Sequence, residues 1–306
     1  MKRIIFISFL ILSICHAKAQ EFPIIGQYMF NEMVLNPASA GHKDVLTGQF
    51  SYRKQWINVK GAPTTQNFSV QSPLKNDQLG VGFMYYRDKI GVSSETGVMG
   101  NFAYRLKLKN EQRVVFGIGG GLFFQRTRYS DLAVTHSGDA NFMQDTPLGV
   151  LPNFSAGIRY EYDGLEIGVS IPMILTTRFN SNTSKFELQN RFKNYNYIFR
   201  TVYNYTLNEE FSMKFGGLFK YNSVMKSQMD LTLAVEMKEK VTLGLGYRTD
   251  EGVLVLSRFK INDQFDFGAQ YEIPTSKLYQ YRAGSVEISL IYTSIFNSKA
   301  KSPRQL

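Results

Sequence analysis

The chain is poor in the residues that many exported folds and most enzymes rely on: it has one cysteine, one tryptophan and three histidines. The cysteine, Cys15, lies in a stretch expected to be removed, so the mature chain has no thiol and no disulfide. Of the histidines, His42 and His136 remain, and neither stands near a Ser or Cys motif, which leaves Ser-His-Asp or Cys-His chemistry little to build on. After residue 20 no apolar run approaches the ~18 to 20 residues of a spanning helix, and helical periodicity is almost absent. The cluster Gly117, Gly119, Gly120 and Gly121 is followed by no Lys-Ser or Lys-Thr, so close backbone approach or a bend is expected there, not a phosphate loop. Asp139, Asn141 and Asp145 carry oxygens without the spacing or glycine of a calcium loop. No catalytic residue, metal or cofactor is expected.

What is present begins with an export signal. Lys2 and Arg3 precede an apolar run from Ile4 to Ile14, and Ala17-Lys18-Ala19 supplies a small-x-small site, so cleavage is expected before Gln20. The bulky Ile14 ahead of Cys15 argues against lipid attachment. Cleavage takes Lys2, Arg3 and Lys18 and no acid from the formal charge of +10, leaving +7. That excess is spread along the chain, which suits a solvated lumen and a rim facing anionic lipid better than nucleic acid.

From residue 45 onward the dominant signal is period-two alternation, which gives each strand two faces of different chemistry. Met229, Leu231, Leu233, Val235 and Met237 alternate with Asp230, Thr232, Ala234 and Glu236, and Val286, Ile288, Leu290 and Tyr292 with Glu287, Ser289 and Thr293. About 14 strands follow, starting near Val45, Thr64, Gln78, Glu95, Arg113, Asn153, Leu165, Tyr195, Glu210, Gln228, Lys240, Gly252, Phe265 and Ser285. Even-numbered connections such as Asp163-Gly164 and Lys238-Glu239 are short and polar, while the two longest, 130–152 and 172–194, are odd-numbered. A soluble β-sandwich also alternates but needs no such parity. Tyr52, Tyr85, Tyr104, Tyr129, Tyr160, Tyr195, Tyr205, Tyr247, Tyr271 and Tyr292 fall near strand ends, as aromatic girdles do. The fold class is therefore all-β, a transmembrane outer-membrane barrel of about 14 antiparallel strands. The expected partition is a signal at 1–19, a periplasmic or plug segment at 20–44, the barrel at 45–296 and a tail at 297–306. In the plug segment, Phe30, Met33 and Val34 suit one or two helical turns stopped by Pro37.

Several motifs resemble the PorP/SprF family of type IX secretion system membrane proteins of Bacteroidota: Gln27-Tyr28-Met29-Phe30-Asn31, Asn36-Pro37-Ala38-Ser39-Ala40-Gly41, Arg53-Lys54-Gln55-Trp56 and Gly61-Ala62-Pro63-Thr64-Thr65. The likeness runs on through Asp88-Lys89-Ile90-Gly91, Leu151-Pro152-Asn153-Phe154 and Leu243-Gly244-Leu245-Gly246-Tyr247-Arg248, with small departures at Ser39, Ala140-Asn141 and Val286. The resemblance implies a barrel, not an enzyme, that helps particular secreted cargo with C-terminal sorting domains, such as gliding-type adhesins, to reach or stay on the surface. It implies other secretion components as further partners; the barrel itself implies outer-membrane lipid, and short even-numbered connections fit an N-terminus in the periplasm. Docking is expected at the first loop and the next odd connection, through Arg53, Trp56, Ala62, Pro63, Asp88 and Ile90. The alternative is a plugged channel or transporter for hydrophobic or small solutes, with a barrel hydrolase a distant third.

Overall fold

The computed structural model describes residues 28–74, 78–132, 144–180, 183–224, 226–275 and 283–295. The signal with Cys15, the tail at 297–306, His136, Asp139 and Asn141 lie outside the described residues.

The alternating segments form β1 (Thr47–Lys54), β2 (Thr64–Pro73), β3 (Leu79–Ile90), β4 (Ser93–Lys107), β5 (Arg113–Thr127), β6 (Gly149–Tyr162) and β7 (Leu165–Ile171). A second run gives β8 (Thr176–Asn180), β9 (Lys185–Gln189), β10 (Tyr197–Thr206), β11 (Phe211–Tyr221), β12 (Gln228–Met237) and β13 (Val241–Arg248). The last three are β14 (Gly252–Lys260), β15 (Phe265–Pro274) and β16 (Ser285–Thr293). Fourteen of these pair antiparallel with their neighbours into a closed barrel, sealed where β1 meets β16 with Thr47 opposite Thr293 and Lys54 opposite Val286. The alternation is thereby explained. Phe50, Phe68, Leu233, Leu245 and Leu290 point outward and stay exposed, while their neighbours Gln49, Ser51, Asn67, Thr232 and Ser289 are buried inside. So continuous an apolar exterior over a polar interior is the reverse of a water-soluble protein and suits hydrocarbon.

Turn chemistry sets the connections at one rim. Asp163 (φ 45°) and Gly164 (φ 76°) are both left-handed, the two-residue turn whose twist matches the strands it joins. Lys238 and Glu239, with φ of 50° and 54°, do the same between β12 and β13. The long connections, 128–148 and 172–196, leave from the opposite rim.

Three local expectations change. β6 starts at Gly149, ahead of Pro152, because up to Ser155 it pairs with β5 alone; proline, with no N–H to give, is tolerated beside an unpaired edge. The connection between β7 and β10 holds the hairpin β8–β9, a separate two-stranded sheet whose five-residue strands are too short for alternation to stand out. Pro37 ends the expected helical turn but also begins another. One helical turn closes from Asn36 N–H to the Glu32 carbonyl at 2.9 Å, and Pro37 then opens a short 3-10 turn capped by the Asn36 side chain. Of the girdle tyrosines, Tyr104, Tyr205, Tyr247 and Tyr271 are exposed, but Tyr195 is buried against Phe192.

A barrel closed in this way should resist SDS until heated, since it offers no free edge at which unfolding can begin. Protein extracted from outer membranes is expected to shift in gel mobility on boiling, and equal mobility before and after would contradict the closure.

Candidate functional site

Residues 28–44 run inside the barrel, for they touch strands around its whole circumference. The Tyr28 hydroxyl meets Thr232 of β12 at 3.2 Å, and Asn31 Nδ2 donates to Ser69 Oγ of β2 at 2.9 Å. Asn36 Nδ2 donates to the Ile158 carbonyl of β6 at 3.2 Å, and Ser170 Oγ of β7 to the Leu35 carbonyl at 2.7 Å. Arg105 of β4 donates to the Gly41 carbonyl, and Arg258 of β14 lies over the Phe30 ring at 5.5 Å. The approach is close enough to dictate glycine in the wall. A Cβ on Gly117 would fall 2.0 Å from the Ala38 nitrogen, and one on Gly80 would fall 2.0 Å from the Ala40 oxygen. Close backbone approach is thus the role of Gly117 in the glycine cluster.

The strongest attachment is ionic. Glu32 is gripped by Arg159 of β6, with Nη1 at 3.2 Å from Oε2, and by Arg200 of β10. Both arginines also reach Glu166 of β7, at 3.2 and 3.1 Å, and Arg159 Nε lies 3.3 Å from Glu161. His42 sits at the edge of this network, 3.7 Å from Glu161 and 3.8 Å from Glu166. Arg159 is 1% exposed, so its charge is tolerable only because three carboxylates surround it. Burial works against the charge of Glu32, but Arg159, Arg200 and His42 outweigh it and hold its carboxyl well below the usual range. Glu32, His42 and Glu166 could in principle share a metal ion, yet the two guanidinium groups already supply the positive charge and occupy the oxygens. The group is an ion-pair latch between the N-terminal segment and the wall.

The residues expected to dock a partner divide into two sets. Arg53 is corrected from rim contact to wall element: it is 3% exposed, faces the lumen, and pairs with Glu272 at 3.0 Å and Glu287 at 3.5 Å. Alternation requires this, since Arg53 lies two residues beyond the buried Ser51 on the same face. Its neighbour in that second network is Arg248, fully buried and bonded to Asp230 and Glu272. Asp88 also points inward and accepts from Thr65 Oγ at 2.5 Å. The others do gather. Trp56 takes a left-handed conformation (φ 44°) and opens the first loop, which is closed by Gln55 N–H to the Pro63 carbonyl at 2.9 Å. Gly91 N–H then donates to the Gly61 carbonyl at 2.8 Å, so the first and third connections form one surface carrying half-buried Trp56 and Ala62 and exposed Ile90. A cleft of about 510 Å³ opens between them, lined in part by Lys54, Ile57, Lys60, Ala62 and Lys89. Sequence reasoning missed the latch. Its legible signal was charge at lumen-facing positions, as in Arg159 between Ile158 and Tyr160 and Arg200 between Phe199 and Thr201.

Glu32→Ala should leave Glu166 as the one carboxylate that Arg159 and Arg200 still share, and removing one partner of a buried pair costs roughly 3 to 5 kcal/mol. Gly117→Leu should dislodge the segment by driving a side chain into its backbone at Ala38. Both variants are expected to stay heat-modifiable and to raise conductance in planar bilayers. Because the Glu32 carboxyl is lowered on folding, its contribution is complete above the ordinary carboxylate pKa of about 4 and is lost as pH falls below it, so acid should likewise raise conductance in the parent protein. Unchanged traces in all three cases would show that the segment does not seal the lumen.

Comparison with known proteins adds the following. One family model, described as type IX secretion system membrane protein PorP/SprF, matches residues 17–292. No curated protein matches the chain at a significant level. Among solved structures, the CymD monoaromatic hydrocarbon channel superposes with a TM-score of 0.52 at 10% identity, covering 90% of this chain and 94% of that one. The Acinetobacter baumannii outer membrane protein Omp33 gives 0.49 at 9% identity over 82% and 98% of the two chains. Identities this low speak to the fold alone.

Proposed function

The chain belongs to the PorP/SprF family of type IX secretion system membrane proteins, and from that premise we propose that it is an outer-membrane accessory barrel that binds, anchors or assists surface display of specific secreted cargo. The observation that carries this reading is the lumen, occupied by the chain's own residues 28–44 and latched there by Glu32. A barrel so filled is ill suited to pass a folded cargo and well suited to present one rim as a rigid platform. The platform is the joined surface of Trp56, Ala62 and Ile90, with Pro63 fixing the loop and Arg53 and Asp88 bracing it from the lumen side. The long-loop rim faces the cell exterior in this reading, and the short turns and N-terminus face the periplasm. Cargo carrying a C-terminal sorting domain and other components of the secretion system are the partners.

One observation favours a second reading, a solute channel. Gln270, 2% exposed on the inner wall, has neither amide atom bonded, and Asn67 Nδ2 and Gln71 Oε1 are likewise buried without a partner among the described residues. Such atoms imply water between segment and wall. Steady conductance and solute uptake by the unaltered protein would favour the channel.

Deleting the gene should abolish surface display of one cargo class while other cargo is still secreted; an unchanged surface proteome would sink the proposal. Trp56→Ala should weaken cargo retention by roughly 2 kcal/mol if the ring is an anchor, with heat-modifiability intact. Protease added to whole cells is expected to cut within 128–148 or 172–196, and cleavage at Asp163-Gly164 would invert the orientation.

A further inference from the structure

We propose that the outer face of β1 to β3, at the rim of the long loops, binds the phosphate-bearing headgroup of an anionic lipid. Across β1, β2 and β3 the outermost outward-facing row is Lys54, Thr64 and Lys89, the next is Tyr52, Gln66 and Arg87, and the third is Phe50, Phe68 and Tyr85. These side chains face away from the lumen, because the residues between them, Arg53, Ser51, Thr65, Asn67 and Tyr86, are buried, and Asp88 points inward to Thr65. Strands lie about 4.8 Å apart and alternate residues about 7 Å apart along each, so cations, mixed polar groups and aromatic rings succeed one another over one lipid-sized strip. The order is that of a bilayer boundary, charge outermost and rings beneath. Lys60 leans in from the first loop, and with Lys54 and Lys89 it lines the cleft of about 510 Å³.

What marks this strip is several uncompensated cations gathered above aromatic rings. Some lysines elsewhere find carboxylates: Lys214 with Glu236 at 2.8 Å, Lys226 with Asp250 at 2.6 Å, Lys238 with Glu210 at 3.1 Å and Lys260 with Asp263 at 3.2 Å. Among the described residues Lys54, Lys60, Arg87 and Lys89 have no carboxylate within 4.0 Å. Asp88, between two of them in sequence, faces the lumen and is taken by Thr65. On β4 the outward partners of Lys89 and Arg87 are the hydroxyls of Ser94 and Thr96, and on β16 the partner of Lys54 is Val286. Lysines as point charges, an arginine fork and flanking hydroxyls are the donors a phosphate takes. A soluble anion would have no use for the aromatic row below, whereas an acyl chain lies along it, so the occupant is a lipid. This site adjoins the proposed cargo platform, for Lys54, Lys60 and Lys89 line the same cleft as Ala62, while the lipid occupies the outward face below it.

The test uses the purified full-length barrel in phosphatidylcholine nanodiscs, with and without a minor share of diphosphoryl lipid A, and reads bound lipid by native mass spectrometry. The parent protein should retain lipid A, and dephosphorylated lipid A should bind far less. Lys54→Gln, Arg87→Gln and Lys89→Gln together should reduce retention at least about tenfold, since each interfacial cation contributes appreciably to binding anionic lipid. A control at the opposite rim, Lys238→Gln, Lys240→Gln and Lys260→Gln, should leave it unchanged. Should the triple variant fail to fold, judged by heat-modifiability, Lys89→Gln alone, at an exposed position, must still lower retention. Parent-like retention by the folded variants would overturn the proposal, as would equal loss in the control or equal binding of the dephosphorylated lipid. Displacement of lipid A by inorganic phosphate alone would also overturn it, by showing a site for soluble anions.

Discussion

A backbone crossing hydrocarbon has no water to satisfy its N–H and C=O groups, and each one left open costs several kcal/mol. That constraint leads to strands that close on themselves, and here the closing ladder joins β1 to β16 over eight residue pairs from Thr47–Thr293 to Lys54–Val286. Closure has a geometric consequence, an inside. Once there is an inside, every strand has one wet face and one lipid face, and the alternation of small or charged with apolar residues is its chemical record.

The inside is where the charge sits. Arg159, Arg200, Arg53 and Arg248 are all buried and all held by carboxylates from neighbouring strands, so the wall carries two ion-pair networks on different arcs. The first includes Glu32 of the N-terminal segment, whereas the second joins Arg53, Asp230, Arg248, Glu272 and Glu287 of β1, β12, β13, β15 and β16. One network fastens a guest and the other stiffens the wall beneath the first loop. Loss of Glu32 is therefore expected to loosen the segment while leaving the second network in place.

Much of the wall was legible in the sequence, because alternation and turn chemistry are local. Strands start at Thr64, Arg113, Leu165, Gln228, Gly252, Phe265 and Ser285, where residue pattern and turn signals agree. The hairpin β8–β9 was not legible, since five residues of alternation do not stand out within a long connection. Alternation does place Arg53 on the same face as Ser51, yet proximity to Trp56 in sequence suggested a rim role, and that weaker inference gave way. The latch was beyond sequence reasoning for another reason. Arg200 and Glu32 are 168 positions apart, and periodicity says which way a side chain points without saying what stands opposite. The resemblance in the Asn36 to Gly41 motif marked the segment as special, and the cause lies in the wall: glycines at 80 and 117 leave room for its backbone.

The position of the lumen segment also sets an order in time. It leads directly into β1, and β1 finds its second partner only in β16, more than two hundred residues later. Contacts of such long sequence separation carry the largest loop-closure cost, which favours the seam as the last part of the wall to be made. On that order the latch partners on β6, β7 and β10 would be available to the segment before the seam closes. The guest would then be received by an open, curved sheet and enclosed afterwards, so a latch defect would register first as slow or faulty assembly in the membrane, before any change in the finished barrel.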